Sequence, residues 1–169
     1  MTEALAARAL EEELVGLLLE KHLTISTAES CTGGMVASRL VNVPGVSECF
    51  REGFVTYSNK AKRKYLDVAK TTLKKFGAVS KETAKEMARG GMFAADSDIC
   101  VAVTGIAGPD GGTDDKPVGL VFIGCSTADK VSTSRYLFAG DRFAVRAQAA
   151  EKALEMALEA ARSLKAKKD

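Results

Sequence analysis

The chain has one histidine, no C-x-x-C pair and no apolar run near the ~18 residues of a membrane span, and each shortage closes a class of function. A Ser–His–Asp hydrolase holds its imidazole beside the nucleophile. Here the only histidine, His22, ends the first amphipathic stretch in Glu20-Lys21-His22-Leu23, the position of a solvated helix terminus. An activated serine in this chain must therefore draw its base from lysine, tyrosine or a carboxylate. Cys31, Cys49, Cys100 and Cys125 lie far apart, and one histidine beside them makes no zinc site, so neither metal nor cofactor is expected. Cys100 and Cys125 fall in apolar strands as small hydrophobes; Cys31 alone adjoins a reactive neighbour. The 24 basic and 22 acidic residues leave a net charge of +2, with no global field for nucleic acid or a membrane surface. Lys165-Ala166-Lys167-Lys168 reads as a solvated helix end. Met1 to Gly16 lacks the basic start and apolar centre of a secretory leader, so the expected location is cytoplasmic.

What is present fits one expected domain over residues 1–169, 46% hydrophobic and 27% charged. Leu5, Leu10, Leu14, Leu17 and Leu18 recur at helical spacing in residues 3 to 21. Leu23 to Ala28 reads as a strand, Gly33 to Val41 as a helix broken by Val43-Pro44-Gly45, and Glu52 to Tyr57 as a second strand. Ser58 or Asn59 caps a short helix through about Leu66. Ser80 opens a helix to Ala95 that Gly90-Gly91 weakens in its middle. Asp98 to Thr104 is a nearly continuous apolar strand of the kind buried on both faces. Val118 to Ser126 and Val131 to Phe138 form a hairpin through Thr127-Ala128-Asp129-Lys130, and Asp141 caps a last helix from Arg142 to about Lys165. Strands alternating with helices, then a hairpin, predict a three-layer α/β/α fold with a mixed sheet, whose ligands gather beyond the carboxyl ends of parallel strands. Ser30, Tyr57 and Gly105 all follow strand ends.

The densest chemistry is Ser26-Thr27-Ala28-Glu29-Ser30-Cys31-Thr32-Gly33-Gly34. A hydroxyl on a strand-to-helix turn, beside N–H groups from Cys31 to Gly34 that lack intrahelical partners, suits a nucleophile with its oxyanion donors. The same residues also suit a simple cap, with Ser30 or Thr32 as the capping side chain. Lys62 stands in or near the first turn of its helix, where the dipole disfavours a cation and burial would lower its pKa further, as a lysine base for Ser30 requires. An exposed basic face of Lys60, Lys62, Arg63 and Lys64 accounts for the spacing equally, and nothing in it separates Lys62 from Lys60. Tyr57 suits either a proton relay or a buried strand-end ring. Thr104-Gly105-Ile106-Ala107-Gly108-Pro109-Asp110-Gly111-Gly112 is neither a Walker A loop nor a G-x-G-x-x-G fingerprint; its glycines fit close backbone approach to a phosphate or a tight structural loop. Asp110, Asp114 and Asp115 lack calcium-loop spacing. Arg142 and Arg146, one turn apart, fit an anion clamp or a solvated face.

Six ordered motifs sharpen this reading: Ala28 to Gly34, Gly53-Phe54-Val55-Thr56-Tyr57-Ser58-Asn59, Gly77-Ala78-Val79-Ser80, Thr104 to Gly112, Lys116-Pro117-Val118-Gly119 and Gly140-Asp141-Arg142. From about Leu14 to Arg162 the chain resembles the CinA C-terminal domain family, whose stand-alone members include nicotinamide mononucleotide amidohydrolases of the PncC type. The resemblance implies a three-layer fold with a mixed, mostly parallel five-stranded sheet. It also implies hydrolysis of the nicotinamide mononucleotide carboxamide to nicotinic acid mononucleotide and ammonia, without metal or cofactor. Its partner would be a small nucleotide, not nucleic acid or membrane, with self-association left open. By motif it implies Ser30 as nucleophile and Lys62 as its partner, with Tyr57 a further catalytic candidate. Thr32, Gly33 and Gly34 are expected around the oxyanion, Thr104, Gly105, Gly111 and Gly112 in the binding loop, and Arg142 at the phosphate. Similar proteins often carry an acidic residue where Lys60 stands. The competing expectation is a nucleotide-binding or regulatory module without turnover, associated with competence or DNA damage.

Overall fold

The computed structural model describes residues 2–168, with side chains from Leu10 onward. Its elements are α1 (Thr2–Glu20), β1 (Ile25–Glu29), α2 (Met35–Val41), β2 (Phe50–Val55), α3 (Asn59–Leu66), α4 (Lys70–Phe76), α5 (Lys81–Ala95), β3 (Ile99–Gly105), β4 (Leu120–Ser126), β5 (Val131–Leu137) and α6 (Arg142–Ser163), with a 3-10 turn at Val46–Glu48. The sheet order is β2-β1-β3-β4-β5. β1 runs parallel to both β2 and β3, β4 reverses and β5 reverses again, so four of the five strands point one way. Helices α1, α2 and α6 cover one face; α3, α4 and α5 cover the other. This is the expected three-layer α/β/α arrangement with a mixed sheet.

Alternation in the central strands decides which layer comes closest. Ile25, Ile99, Val101 and Val103 face the α1/α6 side, where Leu14, Leu18, Val145, Leu154 and Leu158 fill the core. Ala28, Cys100 and Ala102 face the other way, against Leu66, Met87 and Ala88. Small residues on that second face let α5 lie close to the sheet. A Cβ at Gly91 would stand 2.6 Å from Cys100 Sγ, and one at Gly90 would stand 1.7 Å from the Leu66 carbonyl oxygen. The Gly90-Gly91 pair thus serves close packing of α5 on β3 and α3, and the expected weak point is a contact surface.

Several boundaries depart from expectation for local reasons. His22 ends α1 in the left-handed region at φ 55°, which is how the chain turns from helix into strand. Helix α2 starts at Met35 and not at Gly33, because Gly33 and Gly34 both hold positive φ. Strand β2 covers Phe50–Val55, ending before Tyr57, since Ser58 already caps α3 by accepting from the Ala61 N–H. Helix α4 falls where no element was expected. The basic tail is not a solvated helix end: α6 stops at Ser163, the Lys167 N–H donates to the Lys21 carbonyl, and the Lys167 ammonium pairs with Asp98 at 2.7 Å. In return the Lys21 ammonium donates to the carbonyls of Ala161 and Leu164 at the α6 terminus, where a cation is favoured. Among the described residues no helix is long and apolar enough to cross a membrane.

Candidate active site

The parallel strands β2, β1 and β3 end side by side and place three turns together. The Ser30 N–H donates to the Val103 carbonyl and the Thr56 N–H to the Glu29 carbonyl, so the ladder runs one residue past the strands before the chains diverge. Above this edge lies a cleft of about 280 Å³, lined by Ser30, Tyr57, Lys62, Thr104, Gly111 and Arg142 among others. His22 precedes β1 and so sits at the sheet's opposite end. A larger groove of about 550 Å³ lies outside α3 and α5, lined by Tyr65, Glu86, Arg89 and Phe93, without a nucleophile beside a base.

Lys62 is the decisive side chain. Its residue is 1% exposed, while Lys60, Arg63 and Lys64 on the same helix face solvent. The reason is helical phase: Lys62 and Leu66, four apart, share the face of α3 turned to the sheet. The Lys62 Nζ lies 3.0 Å from Ser30 Oγ and 2.7 Å from the Thr56 carbonyl oxygen. Among the described residues no carboxylate pairs with it. An ammonium stripped of water without a counter-charge is destabilised, and burial brings the Lys62 pKa from 10.5 down to about 8. Of the two expected causes, the helix field and burial, it is burial that lowers it.

The turn after Ser30 differs in one respect that bears on chemistry. Glu29, fully buried, reaches over it and accepts from the N–H groups of Gly34, Val36 and Ala37. The Gly33 N–H donates to the Ser30 carbonyl. The expectation that Gly33 and Gly34 supply oxyanion donors is therefore corrected: their N–H groups are already bonded, one within the turn and one to a carboxylate sitting on the helix terminus. The N–H groups of Cys31 and Thr32 donate to no oxygen among the described residues, and these are the two left for an oxyanion. Neither Ser30 nor Thr32 caps α2, whose cap position is Gly34 without a side-chain bond. The Thr32 hydroxyl is buried and without a hydrogen-bond partner among the described residues. Cys31 is buried and its thiol pushed up to about 11 by that burial, so it stays protonated at neutral pH beside the serine.

The remaining candidates sort by position. Tyr57 is not a buried strand-end ring: it is 61% exposed, and its hydroxyl accepts from Arg142 Nη2 at 2.9 Å and makes no bond to Lys62. Arg142 also donates through Nη1 to the Gly108 carbonyl at 2.7 Å, which ties the glycine loop to the cleft rim. Thr104 lines the floor, its hydroxyl donating to the Ala78 carbonyl, and Gly105 ends β3 beside it. Gly111 lines the cleft at φ 90°. Gly112 lies outside the lining; a Cβ there would stand 2.8 Å from the Val118 N, so this glycine allows the loop to close on itself. Arg146 does not join Arg142 in a clamp, because its guanidinium donates to the carbonyls of Cys31 and Thr32 at 2.9 and 3.0 Å. Among the described residues no group of three or more His, Cys, Asp or Glu side chains could hold a metal ion.

Two neighbours hold the Ser30 turn in ways the sequence does not announce: Glu29, quoted there only as part of the motif, and Arg146, expected there only as a clamp with Arg142 or on a solvated face. An acidic residue just ahead of a helix start was the available signal for the first. For the second, only its spacing from Arg142 was visible.

Comparison with known proteins bears on the whole of this architecture. Residues 7–161 match the profile of the CinA C-terminal domain. A Clostridium beijerinckii protein named for competence and damage induction is 58% identical over 147 residues, which is 87% of this chain and 36% of that protein. A CinA-like protein of Kosmotoga olearia is 56% identical, again over 87% of this chain and 36% of its own length. The chain thus spans about a third of the length of the curated relatives it matches. The crystal structure of a competence/damage inducible protein, CihA, from Agrobacterium tumefaciens superposes with a TM-score of 0.89 at 40% identity, covering 91% of this chain and 94% of that one. By fold, by profile and by relatives, the chain belongs to the CinA C-terminal domain family.

Proposed function

We propose that the chain hydrolyses the carboxamide of nicotinamide mononucleotide to nicotinic acid mononucleotide and ammonia through a Ser–Lys mechanism. One observation carries the hydrolytic reading: a buried lysine, its pKa lowered to about 8, stands 3.0 Å from the hydroxyl of a serine on a strand-end turn. At pH 7 about a tenth of such a lysine is neutral, enough to act as a base. Neutral Lys62 takes the Ser30 hydroxyl proton as Oγ attacks the carboxamide carbon. The oxyanion settles against the N–H groups of Cys31 and Thr32. The tetrahedral adduct collapses as the Lys62 ammonium protonates the departing nitrogen, and ammonia leaves. Lys62, neutral again, takes a proton from water as it attacks the acyl-enzyme ester, then returns that proton to Ser30 Oγ as the acid is released.

The nucleotide half of the reading draws on the family resemblance and on the exposed Arg142 at the cleft mouth, whose guanidinium can turn from Tyr57 to a phosphate. Purified protein mixed with nicotinamide mononucleotide should release ammonia and nicotinic acid mononucleotide in equal amounts, followed by a coupled ammonia assay and by chromatography. Saturable binding of the nucleotide with no ammonia released would instead support a regulatory nucleotide-binding module, in keeping with the competence-damage names its relatives carry.

A further inference from the structure

Two charged side chains hold the Ser30 turn from opposite directions. Glu29 accepts three N–H groups of the helix start, and Arg146 donates to two carbonyls of the turn. Their effects on the peptide planes differ. A trans peptide points its C=O and N–H in opposite directions. The Cys31 carbonyl belongs to the same plane as the Thr32 N–H, so Arg146 Nε, gripping that carbonyl at 2.9 Å, turns the Thr32 N–H away from α6. The Ser30 carbonyl shares its plane with the Cys31 N–H and is held by the Gly33 N–H at 3.0 Å. The next plane, Thr32 carbonyl with Gly33 N–H, is gripped by Arg146 Nη2 at 3.0 Å, which keeps the Gly33 N–H on the Ser30 carbonyl. One guanidinium therefore fixes two consecutive planes directly and a third through the turn. Of the two N–H groups that no oxygen claims, that of Thr32 lies in a plane Arg146 grips directly and that of Cys31 in the plane it reaches through the Gly33 bond.

We propose that Arg146 is a positioning residue that presents the Thr32 and Cys31 N–H groups to the oxyanion formed at Ser30. It contacts neither Ser30 Oγ nor Lys62 and does not touch the reacting atoms. The planar fork is what the role needs, since two carbonyls one residue apart are met by Nε and Nη2 together; a lysine ammonium offers one point of charge. The inference deepens the serine-hydrolase reading and rests on it, but not on the identity of the amide.

The test uses the whole chain with Arg146→Ala and Arg146→Lys, and reads kcat, KM and the rate at which a fluorophosphonate labels Ser30. Labelling needs the nucleophile, its base and the oxyanion donors, but not the natural substrate. Loss of one oxyanion donor lowers kcat by about 10²–10³-fold. We expect Arg146→Ala to lose kcat on that scale with KM changed less than about threefold, and labelling to slow in parallel. The pH midpoint should stay near 8, because Lys62 keeps its surroundings. Added guanidinium, well below denaturing concentration, should restore part of the labelling rate of Arg146→Ala, whereas equal urea should not. Arg146→Lys should remain impaired. Wild-type labelling rates in either variant overturn the proposal, as does a folded Arg146→Ala whose loss of labelling added guanidinium leaves untouched. A wild-type chain that labels at Ser30 yet releases no ammonia from nicotinamide mononucleotide refutes the substrate reading alone, and the Arg146 comparison then stands on labelling.

Discussion

Replacing Lys62 with methionine isolates the energetic consequence of burying this amine. A lysine whose folded pKa lies below its unfolded value costs stability wherever the unfolded chain would carry the proton. Below pH 8 both states are protonated and the whole penalty stands; between about 8 and 10.5 the unfolded state binds the extra proton and stability climbs with pH; above 10.5 both are neutral and the penalty is gone. At about 1.4 kcal/mol per pKa unit, the fall from 10.5 to about 8 corresponds to about 3 kcal/mol. With the residue 1% exposed, little solvent screening reduces that figure. Lys62→Met keeps the apolar stem and removes the charge, but it leaves the Thr56 carbonyl without its donor at 2.7 Å, a loss of about 1–3 kcal/mol. At neutral pH the two terms oppose each other, so a single stability difference there decides nothing.

The pH dependence separates them. A neutral lysine still donates to the Thr56 carbonyl, so the hydrogen-bond term stays level while the charge term fades. The stability of the native chain minus that of Lys62→Met should therefore rise by about 3 kcal/mol on going from pH 7 to 10.5, most steeply near pH 9 at about 1.4 kcal/mol per unit. Urea unfolding of both proteins across that range measures it, with an unchanged m-value confirming that the same surface is exposed. Titration of the other groups cancels in the difference. A difference that stays flat to within about 0.5 kcal/mol would refute the buried, unpaired ammonium, and with it the physical basis for a lysine base.

Ser30→Ala should lose on the order of 10³-fold or more in ammonia release while circular dichroism and nucleotide binding stay near native; a variant with native turnover would remove serine catalysis from consideration. The rate of the native enzyme should rise with pH through a midpoint near 8 as Lys62 deprotonates; Lys62→Arg should be almost inactive and the exposed Lys60→Ala nearly unaffected, and the reverse pattern would move the base to Lys60. Gly90→Ala would drive a methyl to 1.7 Å from the Leu66 carbonyl oxygen, one turn beyond Lys62, so it should lower stability by about 1–3 kcal/mol or more and reduce activity together. A Gly90→Ala protein with unaltered melting temperature would contradict the close α3–α5 contact.

Legibility in the sequence followed period and chain-local chemistry. Strand β3 stood out because its residues are buried on both faces, and α5 and α6 because Ser80 and Asp141 cap them through the Thr83 and Ala144 N–H groups. Helix α4, Lys-Thr-Thr-Leu-Lys-Lys-Phe over seven residues, carries only Leu73 as a buried residue, too little for a period to register. The choice between Lys62 and Lys60 depends on the phase of α3: Tyr65 and Leu66 stand three and four residues after Lys62, but only Leu66 is buried and Tyr65 is 51% exposed, so how deeply that face packs is set by the sheet and α5 and not by the spacing.

The oxyanion donors were harder to read for a different reason. A glycine pair at a helix start signals open N–H groups only if nothing reaches back to them, and whether Glu29 does so depends on where β1 ends and how its last side chain points. Position 29 shares a face with Ile25 and Thr27, the face that α2 and α6 cover, so its carboxylate arrives at the α2 terminus by strand alternation alone. Once there it neutralises the helix dipole that would otherwise have served the substrate. The positive end of α2 is then a structural anchor, and the two N–H groups available to an anion belong to the turn, where Arg146 and not the helix sets their direction.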